Sequence, residues 1–111
     1  AAATIAAADL AVRFNVQKEK IELYTFGMPR TGDINFSKLV NETVGTAYRV
    51  VHSRDVVPHL APCCHTWTGV CTLDKNCPYH SALEVWYNNN MKMGQNFTIC
   101  NAMEDEEKCS T

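Results

Sequence analysis

Hydrophobic and polar positions along the chain fall into alternating helical and extended stretches. The first ten residues are six alanines with Thr4, Ile5, Asp9 and Leu10 among them. Alanine is the strongest helix former, and nothing breaks the run before Asn15, so a helix is predicted over 1–14. The face formed by Ala2, Ile5, Ala6 and Asp9 is the one expected to lie close against a sheet. After a charged turn at 17–20, the apolar and aromatic run 21–26, bounded by Gly27 and Pro29, predicts a short buried strand. Phe36, Leu39, Val40 and Val44 then recur at helical spacing, with Asp33 as the expected N-cap and Gly45 as the stop. A second strand is predicted over 48–52, and strand, helix, strand in this order calls for a right-handed crossover with parallel pairing. Further on, 81–87 and 95–100 are expected to pair through 88–94 as an antiparallel hairpin. The pattern is α/β.

Length and charge narrow the picture. A chain of 111 residues can build one small core, at the low end for a complete α/β domain. A net charge of -2 with 20% charged residues offers no basic field for nucleic acid, and no Lys/Arg cluster suits an anionic membrane surface. No apolar run approaches the ~18 residues of a membrane span, so no transmembrane segment is expected.

Six cysteines, together with glycosylation sequons at Asn41 and Asn96, point to an oxidising secretory route and an extracellular protein. The residues Cys63, Cys64, His65, Cys71, Cys77 and His80 also contain enough soft ligands for zinc. They lack the paired C-x-x-C knuckle of structural zinc sites, and disulfides are the preferred reading. Cys100 and Cys109 are the expected bridge because they flank one short loop, whereas the pairing among Cys63, Cys64, Cys71 and Cys77 is not readable from spacing.

The chemistry concentrates between Tyr48 and Pro62. Val50 and Val51 are followed at once by Asp55, on a loop that Pro58 and Pro62 hold away from helix. This puts a carboxylate at the end of a strand, where ligands and catalytic groups collect in open α/β sheets. His52, three residues earlier, is read as capping the strand end by hydrogen bonding. Arg30 is read first as knitting its loop to backbone carbonyls, with substrate contact the alternative.

Taken together, the run Tyr24-Thr25-Phe26-Gly27-Met28-Pro29-Arg30 and the run Tyr48-Arg49-Val50-Val51-His52 with Asp55, Val57, Pro58 and Leu60 resemble the signature of the class 3, fungal-type lipases, which are secreted α/β-hydrolases. The resemblance implies a serine-type carboxylic ester hydrolase of lipid catabolism that acts on acylglycerols or other esters at a lipid interface, by an acyl-enzyme route without metal or organic cofactor. It makes Asp55 the acid of the triad. In this family the Ala-rich helix follows the nucleophile elbow G-H-S-L-G-G, and the base histidine comes late, in D-H-L-x-Y-F-G. Neither segment occurs here, so the resemblance implies an internal piece of such a domain, 1–111, with the nucleophile upstream of Ala1, the base beyond Thr111, and no activity of its own. Asp33 stands where relatives usually carry Asn, which leaves the cap chemistry intact.

His80 belongs to a Y-x-H-x-x-x-E-x-W-Y box that precedes the final hairpin in the family. It is read as structural, hydrogen-bonded near Glu84, with the base role as its alternative. A catalytically inactive secreted lipid- or protein-binding module is the second functional reading.

Overall fold

The computed structural model describes residues 1–60, 62–64, 67, 76–100 and 109–110. Helix α1 spans Ala2–Val12, strand β1 Glu22–Phe26, helix α2 Ile34–Thr43, strand β2 Thr46–His52, strand β3 Leu83–Tyr87 and strand β4 Thr98–Cys100. The four strands form one sheet in the order β1-β2-β3-β4. β1 pairs with β2 and β2 with β3 in parallel, and β4 closes the edge antiparallel to β3. The predicted parallel crossover and the terminal hairpin are both present, each strand within a few residues of its expected limits.

One face of the sheet carries the core. Ala7 and Ala8 of α1, Val40 of α2, and Ile21, Leu23 and Val44 are buried together, with Ala11, Val16, Phe36 and Ala47 packed around them. The buried side of α1 is Thr4, Ala7 and Ala8, not the expected Ala2, Ile5, Ala6 face, where Ile5 is 54% exposed. Because α1 is apolar on every side, its sequence does not reveal which stripe will meet a sheet.

α2 begins as expected. Phe36 N–H donates to Asp33 Oδ1 at 2.9 Å, which satisfies one of the open donors of the first turn. Its end differs from the expectation. The helix terminates at Val44 in an extended conformation, and Gly45 does not adopt the left-handed conformation of a glycine cap. What Gly45 provides is space, since a Cβ there would collide with the carbonyl oxygen of Lys18.

Among the described residues, nothing covers the opposite face, which is apolar. Tyr24, Tyr48, Val50, Val85, Phe97 and Ile99 line a shallow groove of about 270 Å³, with the Tyr24 and Tyr48 rings stacked at 5.9 Å. Among the described residues no helix is long and apolar enough to cross a membrane.

Candidate functional site

Parallel pairing brings the exits of β1 and β2 to the same edge of the sheet, and the chain makes a distinct turn at each. After β1, Gly27 takes a φ of 58° while its N–H donates to Val50 O at 2.9 Å. After β2, Ser53 takes a φ of 46°, a conformation rare for a residue with a side chain. β3 holds it there from both sides: Ser53 N–H donates to Tyr87 O at 2.7 Å, and the Trp86 indole N–H donates to Ser53 O at 2.9 Å. His52 is anchored too, its Nε2–H donating to Asn89 O at 2.7 Å, which accords with its expected part in capping the strand end.

This double fixation sets the direction of the next turn, which carries Asp55. Asp55 N–H donates to His52 O at 3.0 Å, and Asp55 Oδ1 accepts from Val57 N–H at 2.9 Å. The second carboxylate oxygen, Oδ2, accepts no hydrogen bond among the described residues. It lies over Gly27, where an added Cβ would stand only 2.9 Å away. The acid is half-buried, so it has one oxygen held by the backbone and one left for a partner.

Two further segments approach this turn. The Thr4 hydroxyl, in the first turn of α1, donates to Met28 Sδ at 2.8 Å, which ties the start of α1 to the residue after Gly27. On the other flank, Ser110 shares with Arg54, Val56 and His59 a cavity of about 350 Å³. Ser110 is placed by its own N–H, which donates to Glu84 Oε1 at 3.0 Å.

Glu84 is also the partner of Arg49, its register neighbour on β2, at 2.6 Å, with both side chains almost fully buried. Both oxygens of Glu84 are thus engaged by Arg49 and Ser110, and His80 Nδ1 has no partner among the described residues. His80 is only 2% exposed, and Ser37 Oγ–H donates to its carbonyl oxygen at 2.5 Å. Burial, and then the charges of Arg49, Arg30 and His59, push the His80 imidazole from its ordinary 6.5 down to about 2. An imidazole so disfavoured as a cation is poorly suited to accept a proton near neutrality. Arg30 itself belongs to a loop tied to the stretch before β3 by Thr31 N–H to Tyr79 O at 3.2 Å and Tyr79 N–H to Gly32 O at 2.9 Å.

The described cysteines form disulfides. Cys64 is bonded to Cys77 and Cys100 to Cys109, and Cys63 is disulfide-bonded as well. Glu84, Cys100 and Cys109 place three ligand-type atoms within 4.8 Å of one another, but the two sulfurs are joined to each other and offer no thiolate. The zinc reading is thereby corrected for these cysteines, whereas Cys71 and His65 lie outside the described residues. Asn96 stands exposed on the approach to β4, while Asn41 lies in α2 with its Oδ1 accepting from Ala82 N–H at 2.9 Å.

Asp55 stands out in the sequence, whereas the groups that hold its turn do not. Gly27, Ser53 and Trp86 were visible only as a turn, a loop residue and part of a motif. The one available signal was the stretch from Tyr24 to Arg30, whose glycine ends a strand next to the one bearing the acid.

A mostly parallel sheet with helices packed on one face and strand-end loops gathered around a carboxylate is the α/β-hydrolase fold in part. Solved structures agree. Lipase II from Rhizopus niveus superposes with a TM-score of 0.72 at 26% identity, covering 96% of this chain and 36% of that one. A triacylglycerol lipase whose catalytic centre is a serine protease triad does so with a TM-score of 0.72 at 29% identity, again over 96% of this chain and 36% of its own. A lipase of Caenorhabditis elegans is 39% identical over 102 residues, 82% of this chain and 29% of the worm protein. The sequence profile of the class 3 lipases matches residues 1–65, and the chain belongs to that family. It spans about a third or less of the length of these relatives.

Proposed function

We propose that the chain is the acid-bearing part of a secreted serine-type carboxylic ester hydrolase that acts on acylglycerols in lipid catabolism, with Asp55 as the acid of its triad. The observation that carries this reading is the state of the Asp55 carboxylate: Oδ1 is fixed by Val57 N–H, and Oδ2 accepts no bond among the described residues, at the edge where the loops after β1 and β2 converge. A triad acid works by holding the base imidazole in one tautomer and stabilising it as it becomes charged. For that, one oxygen must be immobile and the other available.

Several similarities support the substrate class. One solved relative is a triacylglycerol lipase with a serine protease triad. A relative from Fusarium solani, 46% identical over 41 residues, which are 37% of this chain and 12% of that protein, is a secreted mono- and diacylglycerol lipase. Its secretion and the disulfides of this chain support an extracellular location. In this reading the nucleophile and the base come from parts of a longer protein outside these 111 residues. His80 keeps a structural role, and an interface of lipid and water is the setting for the ester.

The test is Asp55→Asn in the whole protein, assayed on an emulsified acylglycerol and on a soluble short-chain ester. Turnover should fall by about 10⁴-fold on both, the scale of the loss when a triad acid is neutralised, with the circular dichroism spectrum unchanged. Wild-type turnover in this variant would show that Asp55 is not the acid.

A further inference from the structure

The imidazole of His59 is built into the turn that carries Asp55. Its Nδ1 lies 2.9 Å from the carbonyl oxygen of Asp55, four residues earlier. A backbone carbonyl can only accept, so Nδ1 carries the hydrogen, and in the neutral ring Nε2 is bare. The geometry follows from the local sequence. Val57–His59 form a single 3-10 turn with the buried Pro58 at its centre, and His59 N–H and Leu60 N–H donate to Val56 O and Val57 O at 3.1 and 3.0 Å. Proline fixes its own φ, and this turn brings the His59 ring back over the peptide that follows Asp55.

Apart from Oδ2, each polar group of Asp55 is held by a different partner. The Asp55 N–H is taken by His52 O, Oδ1 by Val57 N–H, and the carbonyl oxygen by the His59 ring alone among the described residues. The bond from Val57 N–H to Oδ1 spans the peptide whose oxygen His59 grips. Rotation of that peptide moves the Val57 N–H, and the carboxylate then loses the contact that fixes its plane. Without the ring, that carbonyl would be left to solvent, and the peptide would lose one of the contacts that fix its direction.

We propose that His59 is a positioning residue for the reaction, which fixes the peptide after Asp55 through Nδ1–H and so sets the direction of Asp55 Oδ2. This rests on the reading of Asp55 as the triad acid. The ring is half-buried and, besides its bond to the turn, lines the cavity shared with Arg54, Val56 and Ser110. His59 touches neither substrate nor nucleophile in this scheme, and its effect appears in turnover instead of in binding.

The experiment uses the whole protein with three replacements of His59. The side-chain amide nitrogen of asparagine stands close to where Nδ1 does, that of glutamine close to where Nε2 does, and leucine offers no donor. His59→Leu and His59→Gln should lower kcat on a soluble short-chain ester by about 10²-fold, the scale of a misplacement of about an ångström, with KM unchanged. His59→Asn should restore kcat close to wild type, although it melts at the same temperature as His59→Gln. Adding His59→Leu to Asp55→Asn should cause no further loss, because His59 acts only through the acid. Wild-type kcat in both the Leu and Gln variants, with Asp55→Asn crippled, overturns the role of His59 and leaves that of Asp55 standing. Equal losses in the Asn, Gln and Leu variants that follow their melting temperatures also overturn it, as does a further loss on top of Asp55→Asn. Wild-type turnover in Asp55→Asn removes the reading on which the proposal rests.

Discussion

Arg49 on β2 and Glu84 on β3 form an ion pair 2.6 Å long with neither side chain more than 2% exposed. The two are register partners, and the second oxygen of Glu84 receives the N–H of Ser110. A buried charge that loses its partner costs about 3–5 kcal/mol, whereas apolar replacement of both partners can be neutral. Glu84→Gln or Arg49→Met should therefore destabilise the whole protein by several kcal/mol on that scale, and Arg49→Met combined with Glu84→Leu should recover much of the loss. Chemical denaturation checks this, and additive losses in the double variant would contradict it.

Gly27 has two reasons to be glycine. Its φ is 58°, and an added Cβ would meet Asp55 Oδ2 at 2.9 Å. Gly27→Ala should lower turnover of the whole protein by about 10²-fold through displacement of the carboxylate, and should cost roughly 1 kcal/mol of stability from the left-handed backbone. Steady-state kinetics with thermal melting would reveal both effects, and an unaltered kcat would mean that the carboxylate tolerates the methyl group.

His80 makes stability depend on pH. Its folded-state pKa of about 2 lies below the 6.5 of an unfolded histidine. Above pH 6.5 the ring is neutral in both states and no penalty arises. As pH falls below that value the unfolded chain takes up a proton that the folded one refuses, so stability is lost progressively, at up to about 1.4 kcal/mol per pH unit. His80→Gln should flatten the loss between pH 6 and pH 4 (roughly the upper part of this window). Denaturation midpoints across that range measure it, and an unchanged slope in the variant would assign the acid sensitivity to other groups.

The 111-residue chain by itself should hydrolyse no ester. Ser37 and Ser81 are fully buried, Ser110 is 4% exposed, and Ser53 is the residue whose backbone β3 clamps. None stands on the strand-to-helix elbow that exposes a nucleophile. A fluorophosphonate probe should leave all four serines unlabelled, and stoichiometric labelling of any one would show that the chain carries a nucleophile of its own.

The sequence revealed what depends on period and on local chemistry. The extended run of β1 and the 3.6-residue spacing in α2 are properties of single segments, as is the Asp33 cap, and the bridge between Cys100 and Cys109 closes a short loop; the expected burial of β1 holds on one face only, since Tyr24 and Phe26 are exposed. Pairings between distant segments were less accessible. Arg49 and Glu84 meet only because β3 lies beside β2 in one particular register, and a slip of β3 by one residue would turn Glu84 to the face opposite Arg49. The site divides in the same way. Asp55 could be found from its neighbours along the chain, but the clamp on Ser53 by Trp86 and Tyr87 depends on a strand that arrives later in the sequence. The buried side of α1 was hidden for a different reason, a surplus of alanine that leaves no polar face to exclude.

The strands lie side by side in the order in which a ribosome makes them. Each can therefore join an edge that already exists, and the sheet grows in one direction as the chain emerges. Asp55 belongs to the loop between β2 and β3, so it is synthesised before Trp86 and Tyr87, which hold its turn from the other side. A nascent chain that has just completed its second strand carries the carboxylate on a half-supported loop. The Asp55 turn gains its last supports only once the third strand has been added, which makes its completion a late event in biosynthesis.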